Sequence, residues 1–354
     1  TNEILNQDQE ENIEFREAVS DYIYKSNTEN NCLTFINTKL CDEEGGIYTN
    51  YLESNEVGEL AQGHQVLSES LGLIMLYYSR NDVQEGFQKH YEYLTNKMLL
   101  SNHLTRWRYI GPDEDVTITS TIDDLRIIRG LLYGYTRWDD SKYLDLAKKT
   151  SNSLLLNLVV ENSLVDYFDV KTKEKSEIIT MAYLDLYTMK FLTEFDSRWK
   201  NLMDGSMELI NSGYIDDSFP FYKEKYDVEL KAYVNKVDFN MTEGLVTILH
   251  LAENNQVKKE TIDWIKDRIK NDNKIYTHYN LNGERISEYE STAIYSLICR
   301  IGKQINDEEL YNLGFERMDD FYVKDKDSPI YGAFGDENTL EVFSFDNLQG
   351  LLAF

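Results

Sequence analysis

Helical patterns in this chain come in pairs, one member apolar on nearly every face and the next apolar along a single stripe. A helix apolar all round must be enclosed by protein, whereas a striped helix covers something and faces water. Residues 67–80 (LSESLGLIMLYYSR) are of the first kind. Residues 83–100 are of the second, with Phe87, Tyr91, Leu94 and Met98 on one stripe. The pairing recurs at 121–138 and 142–158, 180–194 and 197–211, 240–252 and 258–271, and 290–303 and 307–321. An N-terminal helix over about 8–25 and a segment at 344–354 complete about twelve helices. The arrangement that satisfies every pair is all-α: apolar helices inside and striped helices outside, an (α/α)6 barrel or toroid.

Strand signals are short and local, in SLVDYFDV (163–170) and in IYTHYNLNGERI (275–286), the latter a hairpin around Asn282-Gly283. Short β-hairpins are therefore expected in the loops at the cleft end. The three prolines, Pro112, Pro220 and Pro329, fall between helical patterns. No linker rich in Gly, Ser or Pro divides the chain, so residues 1–354 read as a single catalytic-type barrel domain.

The net charge of −27 repels phosphate backbones and anionic lipid, which argues against nucleic acid as a partner. No run reaches the length of a membrane span. Cys32 and Cys41 are close enough in sequence to pair, but three cysteines form no disulfide framework. The chain begins at Thr1, so the expectation is that a leader or anchor preceded it and that the protein is extracellular or on the cell surface.

Nucleotide, zinc-protease and serine-hydrolase motifs are all missing, and the five histidines lack ligand spacing, so no metal or cofactor is expected. His250, inside an apolar helix, reads as a hydrogen-bonded core residue. Carboxylates remain. Glu69, the pair Asp123-Asp124, and Asp238 each head an apolar helix. If those helices form an inner ring and run parallel, their N-termini gather around the axis at one end, and the acids face one another across a cleft. Two carboxyls across a cleft can cleave a glycosidic bond, one protonating the leaving oxygen and one activating water. Capping accounts for the same positions: the macrodipole favours acids there, Thr121 to Asp124 reads as a capping box, and Asp238 as an N-cap. Trp107 and Tyr109 (TRWRYIGP) lie in an inter-helix segment and offer faces on which sugar rings stack.

At these residues the chain resembles glycoside hydrolase family 8, the endoglucanase family that includes the hydrolases of bacterial cellulose-synthesis systems. GGIYTNYLESNEVGELAQGHQVLSESLGLIMLYY (45–78) resembles the family's Gly-led strand followed by SEGxGYGM, with Glu69 on the general acid. IDDLRIIRGLLYGYTRWDDSKYLDLAKK (122–149) is similar to its DADLDIAYALLLAxxxWxDxxYLxxAKK, with Asp124 on an acid of the cleaved sugar's subsite. VDFNM (237–241) resembles YDAxR, with Asp238 on the general base, although Met241 stands where the family has arginine. In MAYLDLYTMKFL (181–192), Tyr183 falls on the tyrosine of the family's PSYF helix. The resemblance implies an inverting glycosidase acting on an oligo- or polysaccharide, and a monomer without cofactor is expected. It implies a glucan, β-1,4-linked by the family's habit, with α-glucan as the other possibility. A non-catalytic glycan-binding protein, a polysaccharide lyase or unsaturated-uronide hydrolase on the same toroid, and a scaffold binding a protein partner are the alternatives.

Overall fold

The computed structural model describes residues 5–7 and 22–354. Twelve α-helices run through the described residues: α1 (Tyr22–Phe35), α2 (Ser68–Arg80), α3 (Gln84–Tyr93), α4 (Thr121–Trp138), α5 (Ser141–Asn157), α6 (Leu186–Leu192), α7 (Arg198–Ser212), α8 (Met241–Glu253), α9 (Lys259–Asp272), α10 (Thr292–Gln304), α11 (Glu308–Asp319) and α12 (Ser344–Ala353). The even-numbered helices close a ring, each packing on the next, with α12 returning to α2. The odd-numbered helices wrap it. This is the (α/α)6 barrel expected from the sequence.

The inner helices are buried along almost their whole length. In α2 every residue from Ser70 to Ser79 is buried, and in α10 every residue from Thr292 to Gly302. The outer helices bury one face, as in α9 with Ile262, Ile265 and Ile269. Two glycines set the spacing of the first inner pair. A Cβ on Gly72 would lie 2.8 Å from Arg126 Cβ and 3.1 Å from the Ile127 nitrogen, and one on Gly130 would lie 3.2 Å from Met75 Cβ. Helices α2 and α4 therefore approach more closely than side chains at these positions would allow, which brings the heads of the two helices together.

The loops at the N-terminal end of the inner ring carry short strands, as expected. Val66–Leu67 pairs with Arg108–Tyr109, and Asp238–Asn240 pairs antiparallel with His278–Asn280. The chain turns back at Gly283 (φ +78), where Tyr279 bridges to Arg285, so the 275–286 hairpin is present but its strand is shared with 238–240.

Three elements differ from expectation. Of the helix expected over 8–25, residues 8–21 lie outside the described residues, and α1 continues to Phe35. Its inward face carries Lys25, Thr28, Glu29 and Cys32, so polar groups occupy the positions where a hydrophobic period would be sought. Glu29 is matched there by the Tyr77 hydroxyl, which donates to it at 2.9 Å. The helix expected over 180–194 is cut to seven residues, because Met181–Tyr183 forms a single 3₁₀ turn and Asp185 caps the helix from outside. Cys32, Cys41 and Cys299 are all free thiols.

Candidate active site

The heads of the inner helices meet in a cavity of about 330 Å³. Its walls come from α2 and its N-cap (Glu69, Leu67), the segment before α4 and its first turns (Ser120, Ile122, Asp123, Arg126), the 3₁₀ turn (Ala182, Tyr183), α8 and its N-cap (Thr242, Glu243, Val246, Asn240), Phe345 of α12, and Trp107. The sequence-derived candidates Glu69, Asp123, Tyr183 and Trp107 are thus gathered around one cleft.

Neither Glu69 nor Asp123 acts as a helix cap: Leu67 and Ser120 hold the N-cap positions, and neither makes a side-chain cap bond. Glu69 Oε2 instead accepts from Arg126 Nη1 at 2.8 Å, and Asp123 Oδ1 lies 3.4 Å from the same nitrogen. Asp123 Oδ2 accepts from the Ser68 hydroxyl at 2.9 Å. Burial, and then the charge of Glu69, push the Asp123 carboxyl up to about 7, against the opposing pull of Arg126 and Ser68. The Asp123 carboxyl is thus held well above the ordinary carboxylate range, beside the Glu69–Arg126 ion pair. Burial also raises the Tyr183 phenol, with further contributions from Asp123, Asp166, Glu243 and Glu69. Tyr183 thus stands within the field of acids on several walls.

Three candidates sit elsewhere. Asp124 is fully buried, and its Oδ1 accepts from the Thr105 amide and hydroxyl at 3.0 and 2.8 Å, so it ties the 105 loop to α4 and does not line the cleft. Of the two adjacent acids, Asp123 is the one that meets the cavity. Tyr109 packs edge-on against Tyr93 on the outer helix α3. Asp238 is also absent from the cavity wall. Its side chain is 39% exposed and lies 3.7 Å from Lys236, which also binds Glu224. Asp238 is not the N-cap of α8. That position belongs to Asn240, whose side chain accepts from the amides of Thr242 and Glu243.

Arg126 and Glu243 were missed in the sequence reading. Glu243 lies in the first turn of α8, three residues after the Asn240 cap, in the N-x-x-E spacing of a capping box. That spacing was the signal available for it. Arg126 carries no such mark: its role follows from the packing of α4 on α2.

Below the cleft, on the barrel axis, lies a second polar cluster, lined by Arg126, Arg129, Asp185, His250, Glu253, Arg300 and Gln349 among others. Asp185, His250 and Glu253 bring ligand atoms within 4.8 Å of one another, a possible metal set. The donor chemistry does not favour a metal, because Arg129 already occupies the cation position, binding Asp185 at 2.5 Å and both Glu253 oxygens at 2.6 and 2.9 Å. Against the burial that would raise it, Arg129 and then His250 draw the Asp185 carboxyl down to about 2. His250 is buried in the core, as expected, and its Nδ1 has no hydrogen-bond partner.

No protein-family model matches the chain. A Clostridium perfringens structure described as "a novel alpha-amylase" is 37% identical to it, with a TM-score of 0.86, covering 92% of this chain and 96% of that one. The endoglucanase Cel10, "a family 8 glycosyl hydrolase from Klebsiella pneumoniae", shares the fold at a TM-score of 0.62 and 14% identity, over 82% of this chain and 99% of that one. A Bacillus subtilis (strain 168) protein named "Putative lipoprotein YdaJ" is 28% identical over 326 residues, 90% of this chain and 84% of that protein. The chain is a glycoside hydrolase family 8-like (α/α)6-barrel protein and belongs to one family with the Clostridium perfringens protein.

Proposed function

We propose that this chain is a glucan hydrolase, a single catalytic barrel that cleaves an α-linked glucan with inversion. The observation that carries the reading is the Glu69–Asp123 pair, held on one guanidinium nitrogen at the wall of a cleft. One carboxyl proton remains in that pair near neutral pH, which is the supply a general acid needs. Glu69, the more exposed of the two, delivers it to the glycosidic oxygen, and Asp123 restores it. Trp107 and Tyr183 line the same cavity and offer the aromatic surface on which a neutral sugar ring stacks. Inversion is what the family 8 resemblance implies, and it requires a second carboxylate on the opposite face of the sugar. The α linkage is favoured by the Clostridium perfringens neighbour, an alpha-amylase by its description. A position outside the cytoplasm, on the cell surface, is favoured by the name of the Bacillus subtilis relative. Among the described residues no helix is long and apolar enough to cross a membrane.

Reducing-end release from soluble starch, mixed-linkage β-glucan, carboxymethyl cellulose and xylan tests this, with Glu69→Gln run beside the parent. Release from starch by the parent, and its loss in the variant, is the expected result. Release only from β-glucan or cellulose would reassign the linkage. Equal release by both proteins would remove Glu69 from the chemistry, and no release by the parent would leave a glycan-binding role.

A further inference from the structure

The wall opposite Glu69 needs a carboxylate that faces the cleft, and the residue the family resemblance assigns, Asp238, does not line it. In a closed ring of six inner helices, α8 stands three places from α2 in either direction and is therefore its opposite. Three residues at the head of α8 carry polar groups on the cavity wall, Asn240, Thr242 and Glu243, and of these only Glu243 is a carboxylate. Asn240 is an amide that takes up no proton, and its oxygen is already used in capping the helix. Glu243 is different. Its Oε2 is shut off from bulk solvent and has no hydrogen-bond partner, although the residue lines the cavity. A buried carboxylate oxygen without a donor is costly, and a water held in the cleft would satisfy it.

We infer that Glu243, in place of Asp238, is the base that activates the hydrolytic water. The inference rests on the hydrolase reading above. Glu243 takes one proton from the water as the water oxygen bonds to the anomeric carbon. The bond from that carbon to the leaving oxygen breaks, and the leaving oxygen takes the proton held by the Glu69–Asp123 pair. One water is consumed, two sugar ends are released, and the proton on Glu243 returns to the pair through solvent.

The test compares Glu243→Gln, Asp238→Asn and Glu69→Gln on two substrates, the glucan that the parent cleaves and the corresponding glycosyl fluoride of the same anomeric configuration. Fluoride leaves without protonation, so loss of the acid spares its hydrolysis while loss of the base does not. Glu69→Gln is expected to lose about 10²–10⁴-fold on the glucan and far less on the fluoride. Glu243→Gln is expected to lose about 10²–10⁴-fold on both, with its melting temperature near the parent's. Asp238→Asn should keep activity within a few-fold on both. Loss on both substrates in Asp238→Asn, with Glu243→Gln active, overturns the inference and leaves the hydrolase reading standing. A Glu243→Gln protein that follows the Glu69→Gln pattern, sparing the fluoride, also overturns it. A parent inactive on every glucan overturns both.

Discussion

Glu69 and Asp123 bind the same nitrogen of Arg126, at 2.8 and 3.4 Å. Their nearest oxygens are therefore no further apart than these two distances laid end to end. Held on one guanidinium nitrogen, the two stand side by side on one wall, whereas the carboxyls of an inverting site face each other across the sugar, about 6.5–9.5 Å apart to admit a water. They share one cation on one wall, which makes the identity of the group on the far wall the decisive question for the proposed mechanism.

The group on this wall raised towards neutrality is Asp123. With its carboxyl at about 7, kcat/KM for glucan hydrolysis should fall as pH rises through neutrality. Asp123→Asn should abolish that limb, as a pH–rate profile would reveal. The stability sign follows from the same shift. A carboxyl with a raised folded-state value stabilises the fold most at a pH below its ordinary value of 3.8, and that contribution is lost progressively as pH rises from there to about 7. Melting temperatures taken from about pH 4 to 7 should decline more steeply for the parent than for Asp123→Asn, and the two should run parallel above pH 7.

Asp124→Asn should leave hydrolysis within a few-fold of the parent, because the side chain bonds Thr105 and does not line the cleft. The amide oxygen can still accept both Thr105 bonds, and Asp124 Oδ2 has no partner to lose. The stability cost should be about 1 kcal/mol in urea unfolding. A loss of hydrolysis as large as that of Glu69→Gln would instead restore the sugar-holding role that the family resemblance implies.

Gly72→Ala should damage both stability and catalysis. The added Cβ meets Arg126 Cβ at 2.8 Å, so α2 and α4 must separate. Overpacking of this kind costs about 1–3 kcal/mol. Because the same approach brings Glu69 to Arg126, kcat should fall more than KM rises, a split that steady-state kinetics on glucan would resolve.

Arg129→Met should be the most destabilising of these changes. It strands Asp185 and Glu253, both buried, without their cation. Breaking a buried pair in this way costs about 3–5 kcal/mol, measurable as a lower urea midpoint at unchanged m-value. Thr188, which now accepts from Arg129 Nε, would lose its donor as well.

The barrel was legible because burial all round and burial on one stripe leave different periodicities, and ten of the twelve helices carry one or the other clearly. Helix α1 escaped because its buried face is built from Lys25, Thr28 and Glu29, which hydrophobic periodicity passes over. In the cleft, the heads of the inner helices pointed to the right neighbourhood but not to the right atoms. Adjacent residues on a helix differ by about 100° in direction, so only packing decides that Asp123 meets the cavity and Asp124 meets Thr105. At α8 the uncertainty was the exact start of the helix. Placing the N-cap at Asn240, two residues beyond Asp238, puts Asp238 on the preceding strand and Glu243 in the first turn. Arg126 depends on a contact between two helices, and nothing in its local sequence distinguishes it from a solvent-facing arginine.

The ring has a consequence for how the protein comes into being. Helix α12 closes the circle against α2, and its Phe345 forms part of the cleft wall. Contacts this distant along the chain form late, because the intervening loop must close first. During synthesis, a nascent chain that has reached α11 already contains Glu69, Asp123 and Glu243, yet its inner ring is open and one wall of the cleft is missing. The cleft is thus incomplete until residues 344–353 have emerged and docked, when α12 meets α2 across the whole length of the ring.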